Sequence, residues 1–365
     1  MIKNYVYTII VVISIFVILY FSLNKNDYNF GINVEKNSID NKSLEYEVVA
    51  DNLDIPWEIV FLPNGEMLVT ERSGNLVRIN ENKKIKIDGV KHYGEGGLLG
   101  MELHYYFEKN NFIYLYFTSE DNKKIENRVE RYVIDLEKNL IKDRKVILEN
   151  IPGSSYHDGG RIAFGPDNLL YITTGDAGNP DNSQNISSLA GKILRLDENG
   201  SIPNNPFGNE IYSYGHRNSQ GLAWDDKGRL WATEHGRSGL QSGLDELNLI
   251  EKGKNYGWPI IQGDDKKENM INPIIHSGEK ITWAPASIIF YKGNILFVGL
   301  RGETLYVYNI GNNKLKYYFE KRFGRLRAIT LYNEDIYIST SNRDGRGEIR
   351  ENDDRIIKIP IKTLV

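Results

Sequence analysis

The stretch IPWEIVFLPNGEMLVTERSGNLVRIN, residues 55–80, decides the fold. It reads as a strand, a Pro-Asn-Gly turn, a second strand, a turn containing Gly, and a third strand. The same grammar returns in RIAFGPDNLLYITTGDAG from Arg161, which closes with GKILRLDENG, and in QGLAWDDKGRLWATEHG from Gln220, which closes with DELNLIEKG. It returns again in SIIFYKGNILFVGLRGETLYVYNI from Ser287 and in RAITLYNEDIYISTSNRDG from Arg327, closed by DRIIKIP. A looser copy, GLLGMELHYYFEKNNFIYLYFTSE with NRVERYVID, lies between the first two. Six units at spacings of roughly 40 to 65 residues predict an all-β, six-bladed propeller of four-stranded blades, the usual closure for such a period. A β-sandwich would not repeat one grammar along the whole domain. Function then falls to the loops that converge at one end of the channel.

Composition agrees. The chain has 365 residues, with 34 Gly and 23 Tyr set among short apolar runs, as expected of many strands and tight turns in one repeat-built domain. The formal net charge is −4 with both signs interspersed, so no basic face offers itself and nucleic acid is not an expected partner. The absence of cysteine removes disulfides, thiolate metal sites, a cysteine nucleophile and a lipid-accepting thiol, without deciding the compartment.

Residues 5–23, YVYTIIVVISIFVILYFSL, carry no charge and match the ~20 apolar residues a helix needs to cross a bilayer. The run is long and ends without small residues, which favours an uncleaved signal anchor over a cleaved leader. The expectation is one N-terminal transmembrane helix at residues 5–23. Residues 1–4, with Lys3, would lie on the cytoplasmic side, 24–43 would form a polar linker, and 44–365 the propeller. The catalytic domain would then be membrane-anchored outside the cytoplasm, periplasmic or extracellular.

Chemistry concentrates in residues 213–259, where SYGHRNSQGLAW, TEHG and LDELNLIEKGKNYGWP bring His216, Arg217, Asn218, Gln220, Glu234, His235, Asp245 and Glu246 close in sequence. Four loops lead into inner strands. SSYHDGGR places His157 there, a side chain able to accept a proton near neutral pH. The loop ahead of Gln220 places Arg217 and Asn218 at the equivalent position. GRLR places Arg325 and Arg327, which alternate along an extended chain and so share a face. EGGLLG places Glu95 beside paired glycines. Taken singly, a loop histidine is more often a structural hydrogen-bonder and an arginine pair an exposed edge; around one axis they fit a polyanionic cofactor or substrate. Asp245, Glu246 and the backbone near Tyr256 add hard oxygen atoms, for which the expected ion is Ca²⁺, although an Asp-Glu pair is as often a solvated turn.

The ordered motifs PWEIVFLPNGEMLVTER, GEGGLLG, HDGGRIAFG, GHRNSQGLAW, EHG, DELNLI, NYGWP, TWAPAS and GRLR resemble the glucose/sorbosone dehydrogenase family, soluble aldose sugar dehydrogenases that use pyrroloquinoline quinone (PQQ). The resemblance runs from about Asp51 to Pro360. It implies a six-bladed propeller that oxidises an aldose at its anomeric carbon to the lactone, with hydride passing to PQQ and electrons to an external quinone or small redox protein. It implies that His157 is the general base, that Arg217 and Asn218 hold the quinone oxygens, and that Arg325, Arg327 and Thr282 contact the cofactor. Backbone carbonyls of Gly236 and Arg237 would ligate Ca²⁺, and Asp245, Glu246 and Tyr256, with Gln262 and Asp265 as looser fits, would form a second Ca²⁺ site. The chain departs from the family pattern in four places. Glu95 replaces a common Gln and sets an acid beside a polyanion. Arg237 stands where Pro is common, residues 238–244 form a longer segment, and Arg301 is the nearest match to a cofactor-contacting lysine. Two other classes use the same fold, a surface-tethered binding propeller without chemistry and a Ca²⁺-dependent lactonase-type hydrolase; neither has a reason to keep His157 with Arg217 and Arg325.

Overall fold

The turn at Pro63 shows how a blade is made. Leu62 N–H bonds Glu66 O at 2.9 Å and Gly65 N–H bonds Leu62 O at 2.9 Å, while Asn64 Oδ1 caps the Glu66 N–H at 3.0 Å. Proline presets the first corner, and Gly65, at φ +87°, takes a conformation that a side chain would strain. The strands so joined, Pro56–Phe61 and Met67–Glu71, pair antiparallel, and Asn75–Arg78 and Lys83–Lys86 complete a four-stranded sheet.

The computed structural model describes residues 44–365, and among these the pattern recurs as six four-stranded sheets. The innermost strands of the later blades are Leu98–Leu103, Ile162–Phe164, Ser219–Trp224, Pro285–Tyr291 and Leu326–Tyr332, and they pack side by side around a common axis. The six-bladed all-β expectation therefore holds. The expected membrane span at 5–23 and the linker at 24–43 lie outside the described residues. Among the described residues no helix is long and apolar enough to cross a membrane.

Each blade is covered on both faces by its neighbours, so its middle strands are buried on both sides; Met67–Glu71 is buried at every position. The core is accordingly a ring of wedges. Leu62, Leu68 and Leu76 of the first blade meet Leu98, Leu115 and Phe117 of the second, and Leu296 and Val298 of the fifth meet Ile329, Ile338 and Ile357 of the sixth. Five of the six inner strands break register at their start, between Pro56 and Glu58, Leu98 and Met101, Ser219 and Gly221, Pro285 and Ile288, and Leu326 and Ile329. Such a bulge turns the residues just ahead of it, here those at one end of the channel.

The ring closes with a strand from the other end of the domain. The sixth blade takes its outermost strand from Glu47–Ala50, paired antiparallel to Ile356–Pro360, and the seam continues through Leu53 N–H to Asp354 O at 3.0 Å and Asp354 N–H to Leu53 O at 3.2 Å. The repeat pattern in the sequence ends the last blade at DRIIKIP, whereas that blade's fourth strand is Glu47–Ala50. Deleting residues up to Asn52 is expected to lower Tm by roughly 10 °C and to promote association through the bared edge. Unchanged melting would show that the seam contributes nothing.

Candidate functional site

The loop leading into an inner strand is held by a polar residue at or just past the end of the same blade's second strand. Glu71 Oε1 accepts the Asp54 N–H at 3.0 Å in the first blade, and Asp176 Oδ1 meets His157 Nδ1 at 2.7 Å in the third. In the fourth, Glu234 accepts the Arg217 N–H at 2.5 Å and meets His216 Nδ1 at 2.7 Å. In the sixth, Asn342 Oδ1 accepts the Arg325 N–H at 2.8 Å. The contact fixes a backbone N–H in the first, fourth and sixth blades and the His157 ring in the third.

These loops surround a cavity of about 600 Å³ into which six arginines project, Arg217, Arg237, Arg301, Arg325, Arg327 and Arg346, against the carboxylates of Glu95 and Asp245. Among the described residues only two of the six are ion-paired, Arg325 with Asp344 at 2.7 Å and Arg346 with Glu95 at 2.5 Å. Arg217, Arg301 and Arg327 donate instead to neutral oxygens, at 2.7 Å to Ser238, 2.8 Å to Ser242 and 2.5 Å to Gln220. The Nε atoms of Arg217, Arg237 and Arg327 are buried without a partner. Burial lowers the pKa of Arg217, and lowers that of Arg327 to about 9 despite the opposing charge of Asp344, so Arg327 remains a cation at neutral pH. Buried cations with unfilled donors are costly in isolation, and a ligand with several carboxylates would satisfy them. Of the lining residues, Arg327 stands 5.7 Å from the ring of buried Trp57, which Arg161 meets at 4.3 Å. Arg161 is itself paired with buried Glu58.

His157 lines this cavity. Its partner Asp176 was not singled out in the sequence, although GDAG occupies the same place after a second strand as TEHG. Asp176 Oδ1 also accepts the Gly178 N–H at 2.8 Å, and Oδ2 accepts Trp258 Nε1–H at 3.0 Å, so the carboxylate is fully oriented. A carboxylate on Nδ1 places the imidazole proton there and leaves Nε2 as the acceptor. The following glycine is required: at Gly159, φ +65°, a Cβ would lie 2.6 Å from Thr173 O.

Asp158, between them, is buried. Its Oδ1 accepts Asn127 Nδ2–H at 2.9 Å and the Ser154 N–H at 3.1 Å, and Oδ2 has no partner. Burial pushes its pKa up to about 7. A folded-state pKa above the unfolded value of ~3.9 means that the protonated carboxyl favours folding, an advantage complete below that value and lost as pH rises through 7. Asp158→Asn is expected to melt a few degrees above wild type at pH 8 and level with it at pH 4. Equal melting at both pH values would contradict this.

The remaining predicted residues divide. Thr282 reaches the cavity, with its Oγ1 at 2.5 Å from Ser242 Oγ. Asn218 does not line it; Oδ1 accepts the Gly159 N–H at 3.0 Å, and the buried Nδ2 has no partner. Gly236 and Arg237 reach the cavity with Asp245, but both Asp245 oxygens already accept backbone N–H groups, from Gly236 at 2.8 Å, Trp283 at 2.7 Å and Ala284 at 3.0 Å. Burial raises the Asp245 pKa against those three donors. Asp245 is thus a clamp that fixes the loop leading into the fifth blade. Glu246, next along an extended chain, falls on the other side. Half-buried there, it accepts Asn248 Nδ2–H at 3.0 Å, and desolvation, then the charge of Glu234, raises its pKa. The Tyr256 hydroxyl is occupied, donating to Leu249 O at 2.6 Å and accepting the Glu251 N–H at 2.8 Å. The three side chains expected to form one metal site therefore do not converge. Among the described residues no three His, Asp or Glu side chains are grouped to hold a metal ion. Near Glu246, however, the side-chain oxygens of Asn248 and Gln262 are buried without partners, a donor set that suits a hard cation.

Cavity residues to which the sequence gave no role include His235, Gln220, Tyr156 and Arg346. His235 and Gln220 fall in its dense stretch. Tyr156 and Arg346 gave no local signal, being brought to the cavity by loops. Burial lowers the His235 pKa to about 3, so it is a neutral imidazole with a buried, unpartnered Nε2.

A family model described as Glucose / Sorbosone dehydrogenase matches residues 53–351. The chain is 32% identical over 260 residues to quinoprotein glucose dehydrogenase B of Acinetobacter calcoaceticus, covering 61% of this chain and 54% of that protein. It is 34% identical over 235 residues to the aldose sugar dehydrogenase YliI of Escherichia coli, covering 60% of this chain and 62% of that protein. It thus spans less than two thirds of the length of either. The solved PQQ-bound aldose sugar dehydrogenase of Streptomyces coelicolor matches with a TM-score of 0.79 at 37% identity, over 87% of this chain and 98% of that one. A match that begins at the seam before the first blade and ends inside the last takes in every loop around the cavity, and on that ground the chain belongs to the glucose/sorbosone dehydrogenase family.

Proposed function

We propose that this protein oxidises an aldose at its anomeric carbon to the lactone, with PQQ held in the arginine-lined cavity. The observation that carries this reading is His157, with Nε2 left as an acceptor by Asp176, facing the same cavity as guanidiniums that lack an anionic partner. PQQ bound there would supply a two-electron acceptor for the hydride from C1. His157 Nε2 takes the proton of the anomeric hydroxyl, and Asp176 stabilises the resulting imidazolium. Arg217, held 5.2 Å from the Trp258 ring, would supply a donor where negative charge develops, whereas Asn218, behind the cavity lining, would hold the His157 loop through the Gly159 N–H. Arg325, Arg327, Arg301 and Thr282 bind the carboxylates. Tyr156 is 44% exposed and its ring stands 4.8 Å from that of His157, edge to face, a position from which it can pack on the C–H face of a pyranose.

Ca²⁺ would take the backbone carbonyls of Gly236 and Arg237 at the cavity and, at a second site, Glu246 with the free oxygens of Asn248 and Gln262. The uncharged run at 5–23 supports attachment to a membrane with the propeller outside the cytoplasm, where an external quinone or small redox protein would collect the electrons.

The test is to strip the protein of cofactor, add PQQ and Ca²⁺, and follow dye reduction over a panel of aldoses. Sugar-dependent reduction that requires PQQ is the expected result. PQQ binding without oxidation of any aldose would overturn the assignment.

A further inference from the structure

Glu95 touches two loops besides its own. Its Oε2 accepts the His157 N–H at 3.0 Å, and its Oε1 meets Arg346 Nη1 at 2.5 Å. The Glu95 loop also lies directly on the His157 loop: Glu95 N–H donates to Ser155 O at 2.9 Å, and a Cβ on Gly94 would come within 2.1 Å of that oxygen. From the first blade, Arg72 Nη2 donates to Gly94 O. Arg346 belongs to the sixth blade's loop, in which Asp344 receives Arg325 at 2.7 Å and the Arg346 N–H at 3.0 Å. His157 has φ +62°, which a residue with a side chain holds only under constraint, so the acceptor on its N–H matters.

We infer, on the functional reading above, that Glu95 is a positioning residue for His157 and Arg346 its charge partner, an ionic brace across three blades. The brace holds the backbone of the base and cancels an acid's charge in a cavity otherwise built for an anion. Burial works against the ionised Glu95, but Arg346 and the His157 N–H prevail and hold its pKa down to about 2. A glutamine here would keep the first role and have no need of the second. Glu95 and Arg346 are therefore a matched pair, which is why an acid is tolerated at this position.

The test uses the full chain and four variants. Glu95→Ala is expected to lower kcat by about 10- to 100-fold with little change in KM, because the base loses its fixed position. Glu95→Gln recovers most of that loss. Arg346→Gln leaves the acid uncompensated and raises the Kd for PQQ about tenfold, and adding Glu95→Gln to it restores Kd to within about twofold. The Arg346 side chain is 58% exposed, so its replacement leaves folding intact, which a melting curve checks. Without cofactor, amide exchange over residues 154–160 accelerates in Glu95→Ala and not in Glu95→Gln. Unchanged exchange in Glu95→Ala, or an unchanged Kd in Arg346→Gln, overturns the brace. A wild type that binds no PQQ defeats the functional reading instead, while the exchange result still decides the brace.

Discussion

Replacing His157 by alanine is expected to lower kcat by about 10²- to 10⁴-fold while PQQ affinity stays within a few-fold, the pattern of a lost general base rather than a lost binding group. Among the described residues the side chain hydrogen-bonds only to Asp176, with the Tyr156 ring edge to face beside it, so its removal breaks no hydrogen bond in the arginine array. A companion variant tests the tautomer. Asp176→Asn keeps the shape, but its amide can donate to Nδ1, which moves the imidazole proton to Nε2 and blocks the acceptor. Its kcat should fall by roughly 10- to 10³-fold. Dye-reduction kinetics beside an absorbance titration of PQQ would measure both. If His157→Ala turns over at near wild-type rates, the base lies elsewhere.

The second large effect concerns Arg327. Among the described residues its buried guanidinium donates only to Gln220 and keeps an unpartnered Nε, whereas Arg325 is already paired with Asp344. Arg327→Met should therefore weaken PQQ binding by about 10²- to 10³-fold, the loss of a charge-assisted contact in a desolvated site. The same change removes a buried cation from the empty protein, so the variant without cofactor should melt no lower than wild type. Arg325→Met leaves Asp344 without its partner and should cost the cofactor-free protein stability as well as affinity. If Arg327→Met binds PQQ as wild type does, the anion does not reach this guanidinium.

The division between what could be read from residues and what could not follows the range of the interactions. Strand alternation, the Pro63-Asn64-Gly65 turn and its echoes are local, and the period of the apolar runs was enough for six blades and for placing His157, Arg217, Arg325 and Arg327 ahead of inner strands. The ordered motifs carried the family. Asp176 was missed although it lies 19 residues from His157, because its role appears only when the end of a second strand folds back beside the loop ahead of the first.

By itself, then, the sequence determined the blade count, the strand grammar, the loops that bear chemistry and the cationic character of the site, all set by backbone preferences and spacing within single blades. Tertiary structure alone decided the rest. It brought Glu47–Ala50 beside Ile356–Pro360 to close the ring, and set Asp176 against the His157 ring. It also set Glu95 against Arg346 across 251 residues. These pairings depend on where six separate sheets meet around one axis, and no local preference encodes a contact between loops whose only connection is that axis.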